Sequence, residues 1–145
     1  MLIVTSIIGF DYYTVYKQKG KRKNLKLRKI KKTVKVYSRK WKFLKESNIK
    51  IRLVYDDPKH YIGMFSTTYD PFGNLDCFIN LNLNWFLVND KRLLHFVIKH
   101  EIVHALDYVI HGGWRIDSNS KILEHDEVFS ALCNSINIPS NHTPF

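Results

Sequence analysis

Between residues 27 and 44, apolar side chains recur at Leu27, Ile30, Val34, Tyr37, Trp41 and Leu44, in steps of three and four. That spacing lays them along one stripe of a helix. Lys29, Lys31, Lys32, Lys35, Arg39, Lys40, Lys42 and Lys45 fall off the stripe and cover the other faces. The pattern predicts a helix from about Lys32. Val34 and Val36 are β-branched, so the earlier part could instead pair as a strand with Tyr13–Tyr16. Upstream, residues 2–16 are rich in Ile, Val, Thr and Tyr, a strand-like mixture with a turn expected at Gly9 and Asp11, and residues 17–24 read as a solvated basic loop. At Ile49 the period changes to two: Ile49, Ile51, Leu53 and Tyr55 alternate as a half-buried strand, which Asp56-Asp57-Pro58 ends. Residues 61–68 and 75–83 read as two more strands joined by a turn at 69–74. After Asn89-Asp90, a suitable N-cap, a long apolar-periodic helix is expected over 91–110, stopped by Gly112-Gly113. A loop at 117–120 precedes a last helix over 122–135, and Pro139 closes the ordered part.

Length and composition narrow the class. A chain of 145 residues with 45% hydrophobic and 25% charged positions reads as one globular domain, not a disordered or low-complexity chain. Cys77 and Cys133 are too few for a disulfide framework or an all-cysteine zinc site, and read as small buried hydrophobes in a reducing compartment. No run approaches the ~20 apolar residues that cross a bilayer. Residues 2–10 lack a basic leader and are broken by Thr5, Ser6 and Gly9, so they read as a buried strand or short helix and not as a signal peptide. An intracellular protein of cytoplasm or nucleus, neither secreted nor membrane-bound, is expected.

The charge is unevenly placed. Residues 1–50 carry 16 Lys/Arg against Asp11 and Glu46, a balance of +14, while residues 51–145 balance to −4. A polycationic segment beside a mildly acidic remainder suggests a polyanionic partner, nucleic acid ahead of a membrane surface. Lys31, Lys32, Lys35 and Arg39 are the residues expected to meet phosphates, and Tyr13 and Tyr16 could stack on unpaired bases. Tyr37 and Trp41 lie on the apolar stripe and read as core. The same cations would also serve as a solvated helix face, and no base-reading motif is visible.

The sharpest chemical signal is His100-Glu101-Ile102-Val103-His104. On a helix, positions i and i+4 share a face, so both imidazoles can reach one Zn2+ at ~2.0–2.1 Å. Glu101 falls beside them, placed to take a proton from the attacking water. On the order of one chain in a hundred of this composition would carry the motif by accident. A catalytic zinc needs a third protein ligand and an open fourth position. The metzincin spacing fails, because Ile110 stands where its third histidine would be and Asp107 where its glycine would be. His111 misses that register by one. The remaining candidates are Glu124, His125 and Glu127. His125 begins an H-x-x-x-F pattern, in which Phe129 and Leu132 would pack to set it over the metal. Asp107 shares the face of His100 and His104; it could accept an N–H from a ligand imidazole, pair with Arg115, or stand as a surface carboxylate. His60, His95 and His142 show no spacing to the site.

An HExxH helix followed about twenty residues later by H-x-x-x-F at the start of another helix resembles the SprT-like (Spartan-type) zinc metallopeptidases. The related WLM-type branch is also similar, and Asp126 after His125 leans towards it where SprT and Spartan proteins usually carry Gly. The likeness covers residues 49–138, including Gly63, Asn80 and Asn82 in the lead-in strands; residues 2–37 have no counterpart. It implies one Zn2+ per chain held by His100, His104 and His125, with Glu101 catalytic. It also implies proteolysis, in the best-known members of proteins bound or crosslinked to DNA.

The expected fold is therefore α+β. A small, mostly antiparallel sheet packs on an HExxH, zincin-like active-site helix, with a basic amphipathic N-terminal helix and a C-terminal helix carrying the third ligand. One SprT-like domain would span residues 1–145, with 1–48 a basic extension and 49–138 the catalytic core. The expected partners are a peptide or protein substrate and DNA, the strand at 75–83 offering an edge for an extended substrate. Two alternatives remain open: an ImmA/IrrE-type regulatory metallopeptidase with Glu124 or Glu127 as third ligand, and a non-catalytic zinc-containing DNA-binding module.

Overall fold

The computed structural model describes residues 2–8, 21–89 and 92–136. The elements run β1 (Leu2–Ile8), α1 (Lys21–Lys40), α2 (Lys42–Glu46), β2 (Ile49–Val54), β3 (Gly63–Tyr69), β4 (Leu75–Asn82), α3 (Leu83–Val88), α4 (Leu93–Ile110) and α5 (Glu127–Ser135). The strands form one sheet in the order β1-β3-β4-β2. β3 is antiparallel to both β1 and β4, whereas β2 runs parallel to β4, so the α+β class holds with a mixed sheet. The β3–β4 hairpin turns at Asp70, whose carboxylate accepts the backbone N–H groups of Phe72 (2.9 Å) and Asn74 (2.8 Å). Those bonds, Asn74 first, hold the Asp70 carboxyl below its usual range. Gly73 takes the left-handed conformation (φ 82°) that the turn needs.

β4 is flanked on both sides, which corrects the expectation that residues 75–83 offer a free edge: the hydrogen-bonding groups there are taken by β3 and β2. Its buried Cys77, Ile79 and Leu81 join Phe65 of β3 and Leu94, Val97, Ile98, Ile102 and Ala105 of α4 in the main core. Asn80 and Asn82 are wholly buried as well and tie the sheet together. The Asn80 amide donates to Ser66 Oγ (2.7 Å) and its carbonyl accepts from Arg52 Nε; the Asn82 amide donates to the carbonyls of Tyr61 (2.9 Å) and Asp57 (3.0 Å).

The stripe on α1 does what its spacing predicts, with Ile30 and Tyr37 buried and Leu27, Val34 and Trp41 packed at the margin. Tyr37 also bonds His95 Nδ1 at 2.8 Å. The helix is longer than expected at its start, since residues 21–24 are helical and not a loop. Lys, Arg and Leu are good helix formers, and once Ile30 and Tyr37 are buried the turns before them cost little. The alternative pairing of this segment as a strand is thereby excluded; Gly9, Asp11, Tyr13 and Tyr16 lie outside the described residues. Trp41 breaks the run (ψ 84°), and the chain restarts as α2 with Leu44 buried.

Three further boundaries differ from expectation. Residues 83–88 form helix α3, where the sequence predicts a strand ending at Leu83 and no element after it; its Leu83, Trp85, Phe86 and Leu87 are all buried, and an apolar run buried on all sides has no periodicity to read. Asn89 closes α3 with its backbone and side-chain N–H groups on the Trp85 carbonyl (3.0 Å each), and α4 begins two residues later than expected, at Leu93; Asp90 lies outside the described residues. The last helix starts at Glu127, because Ile122 pairs with Ile116 in a bridge and Asp126 caps α5. Gly112 (φ 69°) and Gly113 (φ 148°) end α4 as expected. Both cysteines are free and buried, and burial pushes the Cys133 thiol up to about 11. Among the described residues, no helix is long and apolar enough to cross a membrane.

One glycine lets the metal-motif helix approach the sheet. A Cβ on Gly63 of β3 would stand 2.4 Å from Val97 Cγ1 and 3.3 Å from Glu101 Cγ. Gly63→Ala must therefore push α4 off the sheet or force Val97 from its rotamer. We expect a loss of about 1–3 kcal/mol in urea unfolding. An unchanged midpoint would show that the helix can shift at no cost.

Candidate metal centre

The sequence places two imidazoles and a carboxylate on α4, and the packing then buries them. His100 and Glu101 are fully buried and His104 is 4% exposed. Polar groups are removed from water to this extent only where something compensates them. His100, His104 and Asp107 follow one another at four and three residues, so they share one stripe of α4. Glu101 is turned about 100° from His100 and lies against Gly63 of β3.

The third member arrives from outside the helix. His125 precedes the Asp126 cap of α5 and sits in the left-handed region (φ 56°), uncommon for a residue with a side chain. From there its Nε2 lies 3.0 Å from His100 Nε2 and 2.9 Å from His104 Nε2, which are themselves 3.1 Å apart. His100, His104 and His125 form the group of potential metal ligands among the described residues. Glu124 and Glu127 are exposed and are not members of it. His125 itself lies before the last helix, not on it as expected, because Asp126 takes the capping position.

The geometry suits a cation. Two nitrogens at ~2.05 Å from a tetrahedral ion stand roughly 3.3 Å apart, close to the spacing of these three. Each Nε2 carries at most one proton, so three of them in a triangle cannot all be satisfied by one another. Three neutral imidazoles directing lone pairs at one point are matched by a positive charge there. Phe129, fully buried, forms the floor. Its ring stacks on His104 (centroids 4.4 Å, 26°) and meets His125 edge-on (5.0 Å, 88°), while Phe96 stacks on His100 (6.0 Å, 27°). Phe129 is held with Val103, Cys133 and Leu132, the packing face expected for it.

Asp107 is engaged by Arg115 and His111. Its carboxylate takes two bonds from Arg115, at 2.8 Å each, and lies 2.7 Å from His111 Nδ1. The pairing with Arg115 was legible from the sequence; that the same guanidinium also grips Asp126 was not. Arg115 holds the Asp126 carboxyl down to about 2, and the two carboxylates push the guanidinium up. His60 is exposed beside Asp56 (2.9 Å), His95 bonds Tyr37, and His142 lies outside the described residues.

On the basic helix, Lys31, Lys32, Lys35 and Arg39 are all exposed. Lys26 is used differently. Its Nζ donates to the carbonyls of Leu87 (3.0 Å) and Asn89 (2.9 Å) and closes the end of α3. Neither a family model, nor a curated protein, nor a solved structure matches this chain.

Proposed function

We propose that this protein is a zinc metallopeptidase of the SprT-like type, acting on proteins associated with nucleic acid. The observation that carries the reading is the convergence of the His125 imidazole nitrogen on those of His100 and His104 of α4, all three within 2.9–3.1 Å of one another. An all-imidazole donor set suits zinc, and three protein ligands leave a position open, as catalytic rather than structural zinc requires. A bound zinc ion would supply Lewis acidity, lowering the pKa of water and polarising the scissile carbonyl. His100, His104 and His125 would hold the ion. Glu101 would take a proton from the attacking water and deliver it to the leaving amine nitrogen. Its attachment to α4 directly after His100 keeps it beside the ligands, and Gly63 gives its side chain room against the sheet.

The test is direct. The purified chain should carry one zinc and cleave an unfolded protein substrate, with hydrolysis lost on chelation and restored by Zn2+. Zinc-loaded protein that cleaves nothing, with or without DNA, overturns the enzymatic reading and leaves a zinc-stabilised binding module.

The nucleic-acid part of the proposal rests on a separate observation, the exposed cations of α1. Replacing Lys31, Lys32, Lys35 and Arg39 by Gln should weaken DNA binding. It should also flatten the dependence of log affinity on log salt by about 0.7–0.9 for each phosphate no longer neutralised. Zinc content should not change, since none of the four is a member of the histidine group. Equal, salt-insensitive binding by wild type and variant would reduce the charged face to a solvated one.

A further inference from the structure

We propose that Arg115 is a positioning residue that fixes His125 against the two helical histidines, an inference that rests on the metal-centre reading above. His100 and His104 are set by one helix and need no further alignment. His125 comes from a separate segment, and its imidazole meets the other two from a backbone in the left-handed region (φ 56°). A side-chain-bearing residue keeps such a conformation when its surroundings hold it. Arg115 provides that hold from both sides of His125. Its carbonyl accepts the N–H of Leu123, two residues before, at 2.7 Å. Its guanidinium donates to Asp126, the next residue, through Nη1 (2.7 Å) and Nη2 (2.8 Å).

The other half of the fork ties this turn to the ligand helix. Nε and Nη2 each donate to Asp107 at 2.8 Å, three residues after His104 on the same stripe. One planar cation thus joins the element bearing two histidines to the residue following the third, with paired bonds at each end. Such a fork transmits orientation as well as distance. Asp126 in turn accepts the N–H of Phe129 (3.1 Å), whose ring is the floor beneath the imidazoles. The Arg115 side chain is 14% exposed, so water competes little for these bonds. A lysine at this position would keep the charge but could not present paired donors to two carboxylates.

The test uses the full chain, stripped of metal and titrated with Co2+. Affinity is read by chelator competition, the ligand field by visible d–d absorption, and the stability of the metal-free protein by urea unfolding. Arg115→Gln would leave two carboxylates facing each other and risks misfolding, so the informative variants are Arg115→Lys and Asp126→Asn. The latter keeps an acceptor for the Phe129 N–H, since Asn is also a good cap. Both should bind Co2+ about 10- to 100-fold more weakly, with an altered d–d spectrum, while His125→Ala loses more. If both variants bind Co2+ with wild-type affinity and spectrum and only unfold earlier in urea, Arg115 is a structural brace and the proposal falls alone. If wild type binds no Co2+, or His125→Ala binds like wild type, the metal-centre reading fails and takes the proposal with it.

Discussion

Glu101→Gln should leave metal content unchanged and lower hydrolysis of an unfolded protein substrate by about 10²–10⁴-fold, the range that a positioned general base supplies. The substitution keeps the shape of a side chain that is fully buried between α4 and Gly63, so the fold has little reason to change. What it removes is the capacity to accept a proton. The amide is not basic, and the water would have to lose its proton to solvent that this buried position excludes. The outcome separates a base from a ligand. Metal lost together with activity would place Glu101 among the ligands, and full activity in the Gln variant would remove it from the chemistry.

The second large effect is expected at the ligands. Structural zinc sites bind with about 10–16 kcal/mol, so one ligand of four accounts for roughly 3 kcal/mol, or about 10²-fold in affinity. His104→Ala and His125→Ala should each weaken zinc binding by at least that factor, measured by competition with a chromogenic chelator. Glu124→Gln and Glu127→Gln should bind zinc as the unmodified chain does, because both side chains are exposed and outside the histidine group. A strong loss at Glu127 with none at His125 would favour the ImmA/IrrE-type arrangement, against the 2.9–3.0 Å approach of His125 to the other two rings.

How far the sequence carried depends on the range of the interaction that decides each feature. The stripe of α1, the alternation in β2 and the Asp70 turn are local, and each was readable because a side chain's direction follows from its position within an element. Residues 83–88 give no such signal for the converse reason: a helix buried on all sides carries no contrast between faces. The apolar pattern at Ile122 and Leu123 extends the expected last helix too far towards the N-terminus, while the bridge from Ile122 to Ile116 and the cap at Asp126 belong to the folded chain.

The same division runs through the candidate site. By itself the sequence determined that His100 and His104 share a helical face with Glu101 beside them, and that the cations concentrate in the first third of the chain. It also narrowed the candidates for a third ligand to a cluster of three residues, with Phe129 marking His125 among them. Only the tertiary structure decided that His125 reaches the pair from a left-handed turn outside α5, and that Arg115 bridges Asp107 and Asp126 across it. Only it decided that β4 is enclosed between β3 and β2. Helical spacing sets the angle between neighbours on one element and says nothing about the approach of another. That approach is settled by burial and by the pairing of polar groups far apart along the chain, which exist only once the elements have packed.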